Sequence, residues 1–472
     1  MWYYDDFYAT NYKLNTHQQW DITMRIDRVE IENFKKFSDY TLDLHPQFTL
    51  LVGDNGTGKT TILDALAIAA GIWLVNSPDT TLNNSRRNIL PSEIRLEAIE
   101  SGTITQFIER KPVQIKAIGT INSQPVQWLR QIKTNGSKTS NTEAKKALEI
   151  ISTLFKQVAA GEKIWLPIIA YYGAGRAWLP SNQRDPKATT QSSPARRWDA
   201  FYDCFEERIR IADLHTWFQK ETIASVNRQG QMRPGYKVVK LAILRCIPNA
   251  DDLWFDPERS EIVISIQGNP QPFSNLSAGQ KMMVGLIADI AIKIVTQNAS
   301  FLTEKSEYIS SQKLPLILQE TPGLVLIDEI DVHLHPKWQR QVVDDLKTTF
   351  PSIQFVCTTH SPFIIQSISQ GELRSFDIED IESLEYENQS IEDIAEDIQL
   401  VEVPQQSLKA HELNEATERY FELLQNPEES HSGQLEAAEA AYRQAVEPFS
   451  SNPGLSALLK LEAMAKAKER TQ

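Results

Sequence analysis

The chain has 472 residues, 41% of them hydrophobic and 23% charged, and a formal net charge of −14. That length predicts two or three domains, and the acidic balance argues against a protein coated in DNA-binding surface while leaving room for a local basic groove. Cys204, Cys246 and Cys357 are far apart and form no C-x-x-C pair, which supports neither a disulfide framework nor a zinc site and fits a reducing cytosol. No apolar run approaches transmembrane length and the N-terminus lacks a signal-peptide core, so a cytoplasmic protein with no membrane-embedded role is expected.

Residues 1–23 form an aromatic N-terminal extension in which Trp2, Tyr3, Tyr4, Phe7, Tyr8, Tyr12 and Trp20 follow no period. It reads either as a loose chain end or as an aromatic anchor for a partner. From Met24 the pattern is β, with Ile26, Val29 and Ile31 on one strand and Leu42 and Leu44 on another. The basic-aromatic turn Asn33-Phe34-Lys35-Lys36-Phe37 lies between them. It either meets a nucleotide, through Lys35, or is a solvated turn with one packed Phe.

Phe48–Val52 reads as a buried strand. It runs into Gly53-Asp54-Asn55-Gly56-Thr57-Gly58-Lys59-Thr60, which has the form G-x-x-x-x-G-K-[ST], and a helix carrying Leu63, Leu66, Ala67 and Ala70 follows. Strand, glycine turn and helix together give the motif its meaning. The glycines let several N–H groups converge on one anion, and the helix adds its positive end. Lys59 is expected to reach the β- and γ-phosphates of ATP and Thr60 to ligate Mg²⁺. Asn55, Gly56, Thr57, Gly58 and Thr61 complete the expected phosphate cradle.

Residues 72–160 carry Arg86, Arg87, Lys111, Lys116, Lys133, Lys138, Lys145 and Lys146, a turn at Asn135-Gly136-Ser137 and a helix from about Thr142 to Ala159. These cations either track nucleic-acid phosphates or form a solvated face. Trp165–Tyr172 reads as a strand ending in Gly173-Ala174-Gly175-Arg176. After a polar loop over 180–198, a helical, aromatic-rich stretch runs from Arg197 to about Val226, and a β segment lies around Glu261–Ile266.

Leu276-Ser277-Ala278-Gly279-Gln280 then opens an apolar helix. Leu324-Val325-Leu326-Ile327 predicts a strand buried on both faces that delivers Asp328 and Glu329 to its C-terminal end, where open α/β sheets bind ligands. Asp328 suits holding Mg²⁺ and Glu329 suits a general base for water. Ile353–Cys357 is a further buried strand, ending in Thr358-Thr359-His360-Ser361-Pro362 and placing His360 where it can reach a γ-phosphate. Asp377–Glu402 holds eleven acids and no Lys or Arg, a linker or a docking strip for a basic partner. Residues 406–470 read as about three amphipathic helices, either a cap on the core or a holder for a partner.

In this order, GDNGTGKT, LSAGQ, LVLIDE, IDVHLHP and TTHSP resemble an ABC-type ATPase head over residues 24–375. FKKF and HLHP point to the RecF, SMC and OLD branch. The finer pattern (IENFKKF, IIAYYGAGR, DEIDVHLHPKWQ, QFVCTTHSP and the IEDI near 391) is similar to PtuA-type ATPases of Septu and retron anti-phage systems, whose partner is an HNH nuclease. The resemblance implies an α/β ABC-type P-loop head with a mixed sheet and flanking helices, a helical lobe inserted at about 180–320 that carries the signature, an acidic linker at 376–405, and a small helical partner-docking appendage at 406–472. It also implies a homodimer sandwiching two ATP molecules, with Ser277, Gly279 and Gln280 of one copy facing the P-loop of the other, Asp331 as the D-loop acid at the seam and His360 as the switch histidine. Slow ATP hydrolysis that regulates a PtuB-like HNH nuclease is the function so implied, with phage DNA or a retron RNA–DNA and its reverse transcriptase as further partners.

Two departures stand out. Ala278 takes the place of the commoner glycine, and no glutamine follows the strand ending at Tyr172, so Arg176 is assigned a phosphate-linked role in its stead. The H-x-H pair His333 and His335 is read as part of the D-loop and not as a metal site, because no third ligand is evident. Lys59 and Ser277 are 218 residues apart and no long heptad run lies between them, which disfavours chromosome-maintenance heads. The 112 residues after His360 show no Toprim-like α/β pattern, so any nuclease is expected from a partner. The rival function is a RecF-like, ATP-dependent DNA clamp without a nuclease.

Overall fold

A computed structural model describes residues 24–77, 82, 86–101, 104–177, 200–302, 314–378, 381, 386, 388–425 and 432–449. The aromatic extension 1–23 and the third C-terminal helix expected from the sequence lie outside the described residues. The chain divides into two compact units, one ending at Gln389 and the other beginning at Ser390; the division falls inside the acidic segment.

In chain order the first unit forms β1 (Met24–Phe34), β2 (Phe37–Asp43), β3 (Phe48–Val52), α1 (Lys59–Ala70), β4 (Leu96–Ser101), β5 (Ile104–Glu109), β6 (Val113–Ile121), β7 (Gln124–Ile132), α2 (Lys145–Ala159), β8 (Ile168–Tyr172), α3 (Ile211–Val226), α4 (Pro234–Cys246), β9 (Ala250–Asp256), β10 (Glu261–Ile266), β11 (Asn269–Pro272), α5 (Ala278–Gln297), α6 (Leu316–Glu320), β12 (Gly323–Ile327), α7 (Pro336–Thr349), β13 (Ile353–Thr358), α8 (Pro362–Ile365) and β14 (Leu373–Ser375). The second holds α9 (Ile391–Asp397), α10 (Leu408–Gln425) and α11 (Ser432–Val446).

A five-stranded parallel sheet in the order β14-β3-β13-β12-β8 is the centre of the first unit. β3, β8, β12 and β13 are buried along their whole length, as expected of aliphatic strands covered on both faces. An antiparallel sheet β2-β1-β6-β7 accompanies it. In β6 the residues alternate between buried and half-buried, so one face packs inward.

Helix α1 touches strands of both sheets. Every residue of it except Thr60 is buried, which explains why apolar side chains occupy all its sides beyond Lys59, Thr60, Thr61 and Asp64. Two side chains of β7 bind its last turn: Trp128 donates to Ala69 O at 3.0 Å and the fully buried Arg130 donates to Ile68 O at 2.5 Å. The lobe between β8 and β12 is α3, α4, the small sheet β11-β10-β9 and α5, which packs on β8. The architecture is thus the α/β ABC-type head that the motif order implies, with its antiparallel strands gathered into sheets separate from the parallel one.

In the second unit α10 and α11 pack through a stack of Tyr420 on Tyr442, 5.4 Å between ring centres, with Leu413, Phe421 and Ala438 buried. α9 begins with a reciprocal cap between Ser390 and Asp393. No helix among the described residues is long and apolar enough to cross a membrane.

Candidate nucleotide site at the P-loop

Gly53, Gly56 and Gly58 all have positive φ. At Gly58 a methyl group would also stand 2.4 Å from the Phe37 ring, so only glycine fits there. Thr57 Oγ1 donates to Asp54 O at 2.9 Å, closing the loop on itself. Lys59 is 8% exposed and its Nζ donates to Gly53 O at 2.7 Å and Asp54 O at 2.9 Å. Burial pulls the Lys59 amine below its ordinary pKa, against the opposing pull of Asp328, Asp377, Asp54 and Glu329. Thr61 is buried behind the loop, while Asn55 and Gly56 are exposed.

The parallel order of β3, β13 and β12 brings three strand ends to this loop. Thr60 Oγ1 donates to Asp328 Oδ2 at 2.9 Å, and Thr358 Oγ1 donates to the other oxygen, Oδ1, at 2.6 Å. The same Thr358 hydroxyl accepts the Glu329 N–H at 2.7 Å. A hydroxyl and a carboxylate in contact at the helix start are hard oxygen donors, the set that Mg²⁺ takes alongside phosphates, so Thr60 and Asp328 fit that ion.

Glu329 adopts a left-handed backbone with φ 49°, uncommon for a residue with a side chain. Arg176 holds it there. The guanidinium, 3% exposed, donates from Nη1 to Gly173 O at 3.1 Å and Asp328 O at 2.5 Å, and from Nη2 to Glu329 O at 2.9 Å. The phosphate-linked role expected of Arg176 therefore gives way to a clamp on the backbone carbonyls of the acid pair. Burial is what lowers the Arg176 pKa, with Cys357, Asp328, Asp331 and Glu329 opposing it.

Asp331 accepts from Thr359 Oγ1 at 2.5 Å, which joins the turn after β12 to the end of β13. His360, next in the chain, is exposed. His335 Nδ1 accepts from Lys337 N at 3.2 Å and so caps α7, and no group of three or more His, Cys, Asp or Glu is placed to hold a metal ion among the described residues. The signature residues form a reciprocal cap on α5: Ser277 N donates to Gln280 Oε1 at 2.9 Å and Gln280 N to Ser277 Oγ at 3.2 Å. Ser277 is exposed and Gly279 buried. A methyl group on Gly279 would lie 2.4 Å from His333 O, so the signature helix starts in contact with the D-loop of its own chain.

Lys35 is engaged at helix α1. Its ammonium is ion-paired with Asp64 and lies 3.6 Å from Glu93. Lys36 instead donates to Gly56 O at 2.6 Å, because the left-handed Asn33 and Lys35 turn the chain so that the next side chain faces the loop. Two aromatic residues went unnoticed in the sequence. Tyr40 stacks on Phe37 at 4.6 Å and on Phe376 at 5.5 Å, beside Gly58. The following Asp377 accepts the Asp54 N–H at 2.7 Å. Tyr40 is readable as one β residue among many; Phe376 and Asp377 are more than 300 residues from the loop, and no local pattern announces them.

Several cations of the 72–160 region are engaged inside the chain. Arg86 donates to Leu74 O and Val75 O, Arg87 pairs with Glu93 and Asp64, and Lys111 and Lys116 pair with Glu109 and Glu30.

Residues 28–229 match a family described as an AAA domain, and residues 245–366 match one described as an AAA domain, putative AbiEii toxin, Type IV TA system. The chain is 24% identical over 400 residues to a retron Vc95 probable ATPase of Vibrio cholerae, covering 74% of this chain and 73% of that protein. It is 24% identical over 360 residues to a Septu protein PtuA of Bacillus thuringiensis, covering 75% of this chain and 76% of that one. A RecF protein of Staphylococcus epidermidis matches over 111 residues only, 22% of this chain, at 28% identity.

Proposed function

We propose that this chain, similar to retron ATPases and Septu PtuA proteins, is an ABC-type P-loop ATPase that binds Mg²⁺-ATP, pairs with a second copy around the nucleotide, hydrolyses it slowly and thereby controls an HNH nuclease in anti-phage defence. The observation that carries the reading is the joint Thr60–Asp328–Thr358–Glu329 at the C-terminal ends of β12 and β13. It supports the reading because it joins a hydroxyl and a carboxylate suited to Mg²⁺ to the backbone of Glu329, beside the glycine loop.

In this reading Lys59 leaves the Gly53 and Asp54 carbonyls for the β- and γ-phosphates, exchanging two neutral acceptors for charged ones. Asn55, Gly56, Thr57, Gly58, Thr60 and Thr61 present the loop to the phosphates. Mg²⁺, held by Thr60 and Asp328, supplies charge neutralisation on the phosphates when bound. Glu329 orients the attacking water as general base, and exposed His360 reaches the γ-phosphate. Ser277 and Gly279 meet the nucleotide of the other copy from the start of α5, while Gln280 keeps Ser277 in place. Asp331 sits at the seam between copies. The Tyr40–Phe376 stack offers the base an aromatic face. The second unit, helical and beginning within the acidic stretch, is the docking place of the nuclease.

Two measurements test this. Wild type should release phosphate from ATP, and Glu329→Gln should lose turnover while accumulating as an ATP-bound pair of copies. Deleting residues 403–472 should abolish co-purification of the nuclease; retention of a stoichiometric nuclease by that deletion would sink the docking assignment.

A further inference from the structure

The β4–β5 hairpin has no core of its own. It is a two-stranded sheet, and it exposes Phe107 at 66%, Leu96 at 56%, Ile108 at 41% and Ile99 at 40%. The register pairs Ala98 with Phe107 and Leu96 with Glu109 on one face, and Glu97 with Ile108 and Ile99 with Gln106 on the other. Both faces therefore carry large apolar side chains in solvent. A two-stranded sheet of this kind is marginal in water, and three or more strands with a covered face are the stable form. The base of the hairpin is nevertheless fixed. Arg95 N donates to Asn33 O and Arg110 N to Arg95 O, and Phe34 bridges Ile94, so β1 presents it as an extension of the head.

The two open edges differ in charge. β4 carries Glu97 and Glu100, and pairing it with its own copy would place four carboxylates on one seam, the usual guard of an edge strand. β5 carries no charge from Ile104 to Ile108. Across the whole hairpin, Arg95, Arg110 and Lys111 balance Glu97, Glu100 and Glu109, three against three, on a chain whose net charge is −14. Arg110 and Arg95 pair with Glu97, and Lys111 with Glu109, within the hairpin itself. A strongly acidic chain is thus electrostatically neutral where its apolar edge strand is bare, which favours a second copy of the same surface over an acidic or a basic partner.

We infer that β5 is a self-association edge: two copies join β5 to β5 antiparallel about a two-fold axis, giving a four-stranded sheet β4-β5-β5-β4. Centred on Gln106, the pairing sets Thr105 opposite Phe107, a β-branched and an aromatic neighbour of the kind that stabilise antiparallel pairs. The contact uses neither the P-loop nor the signature, so it forms without nucleotide and stands independently of the proposed activity.

The test is sedimentation of the nucleotide-free full-length chain over a micromolar concentration range. Wild type should show a reversible doubling of mass; Phe107→Asp and Gln106→Pro should each weaken it at least ~30-fold, and Phe107→Leu should retain it. Unchanged thermal unfolding and nucleotide binding in these variants would show that the head remains intact. As a second measurement, Gln106→Cys should form an intermolecular disulfide under mild oxidation, since opposed residues in such a pair lie within bridging distance and Cys204, Cys246 and Cys357 are all buried. A wild type that stays monomeric without nucleotide, or an association indifferent to both edge variants, overturns the inference. So does a monomer whose hairpin becomes protected only when a different protein is added, which would assign the edge to a foreign strand.

Discussion

Replacing Arg176 with Met isolates what the backbone clamp contributes. The side chain is 3% exposed and makes three hydrogen bonds, to Gly173 O, Asp328 O and Glu329 O. Methionine fills a similar length but donates nothing, so three carbonyls lose a charged donor. Hydrogen bonds to charged groups contribute about 1.5–3 kcal/mol each, while the lost guanidinium also relieves a buried charge. The expected net loss of stability is therefore about 2–4 kcal/mol. The effect on turnover follows from position. Glu329 sits at φ 49° with its N–H on Thr358 and its carbonyl on Arg176, and a displacement of about 1 Å at a reacting group costs on the order of 100-fold. Phosphate release should fall about 100-fold in Arg176→Met, with ATP affinity within about 3-fold of wild type, because Lys59 and Thr60 make no hydrogen bond to Arg176. Arg176→Lys should recover part of the loss, one ammonium replacing a fork that spans three carbonyls. Steady-state phosphate release, nucleotide titration and thermal unfolding separate the terms. Turnover within 2-fold of wild type would refute the clamp, and a loss confined to ATP affinity would restore the phosphate-linked role that the sequence suggests.

Thr358→Val keeps the shape of the strand end but removes the hydroxyl that holds Asp328 and the Glu329 N–H; at least a 10-fold drop in turnover and about 1–3 kcal/mol of stability are expected, read by phosphate release and urea titration. Gly279→Ala sets a methyl group against His333 O, and overpacking against backbone should cost about 1–3 kcal/mol, visible as a lower urea midpoint. Burial, reinforced by Asp344 and opposed by Arg245, raises the Asp345 carboxyl to about 6. Its folded form thus binds a proton more readily than the unfolded chain, and stability from this group is greatest below about pH 4 and is lost as pH rises to about 6. Asp345→Asn should therefore stabilise the protein at pH 7 by about 1–2 kcal/mol, less than the full shift implies because the side chain is half-exposed, and should add nothing below pH 4; equal gains at both pH values would show that the effect is not titration.

Much of the head is legible because its motifs are local. Phe48–Val52, the glycine loop and the helix after it are contiguous, and so are Leu324–Ile327 with their two acids, so each segment declares its own conformation. The topology then follows from parallel pairing, and Lys59, Thr60, Asp328 and Glu329 are brought together as the order of motifs suggests. What is not legible depends on distance or on backbone direction. Arg176 looks like a cation free to meet a phosphate until β8 pairs with β12 and turns it toward two carbonyls. Lys35 and Lys36 are indistinguishable in the sequence, and only the left-handed turn decides which faces the loop. Thr358 is hidden beside the more conspicuous His360. The strands of the 72–160 region are hard to read because the half-buried face of β6 mixes Gln114 and Lys116 with Ile118 and Thr120, leaving an alternation that is weak in hydropathy though clear in burial.

The contact between Gly279 and the His333 carbonyl has a thermodynamic consequence. The helix that would offer Ser277 to a second copy in the proposed pairing rests on the turn that contains Asp331 of its own chain. In paired copies, whatever moves that turn after one Glu329 acts is transmitted to the serine facing the other nucleotide. The two sites would then share a coupling free energy, and by linkage it acts equally in both directions. The Hill coefficient for ATP binding should accordingly depart from 1, and Gly279→Ala, by wedging helix and turn apart, should alter that coefficient more than the affinity of a single site.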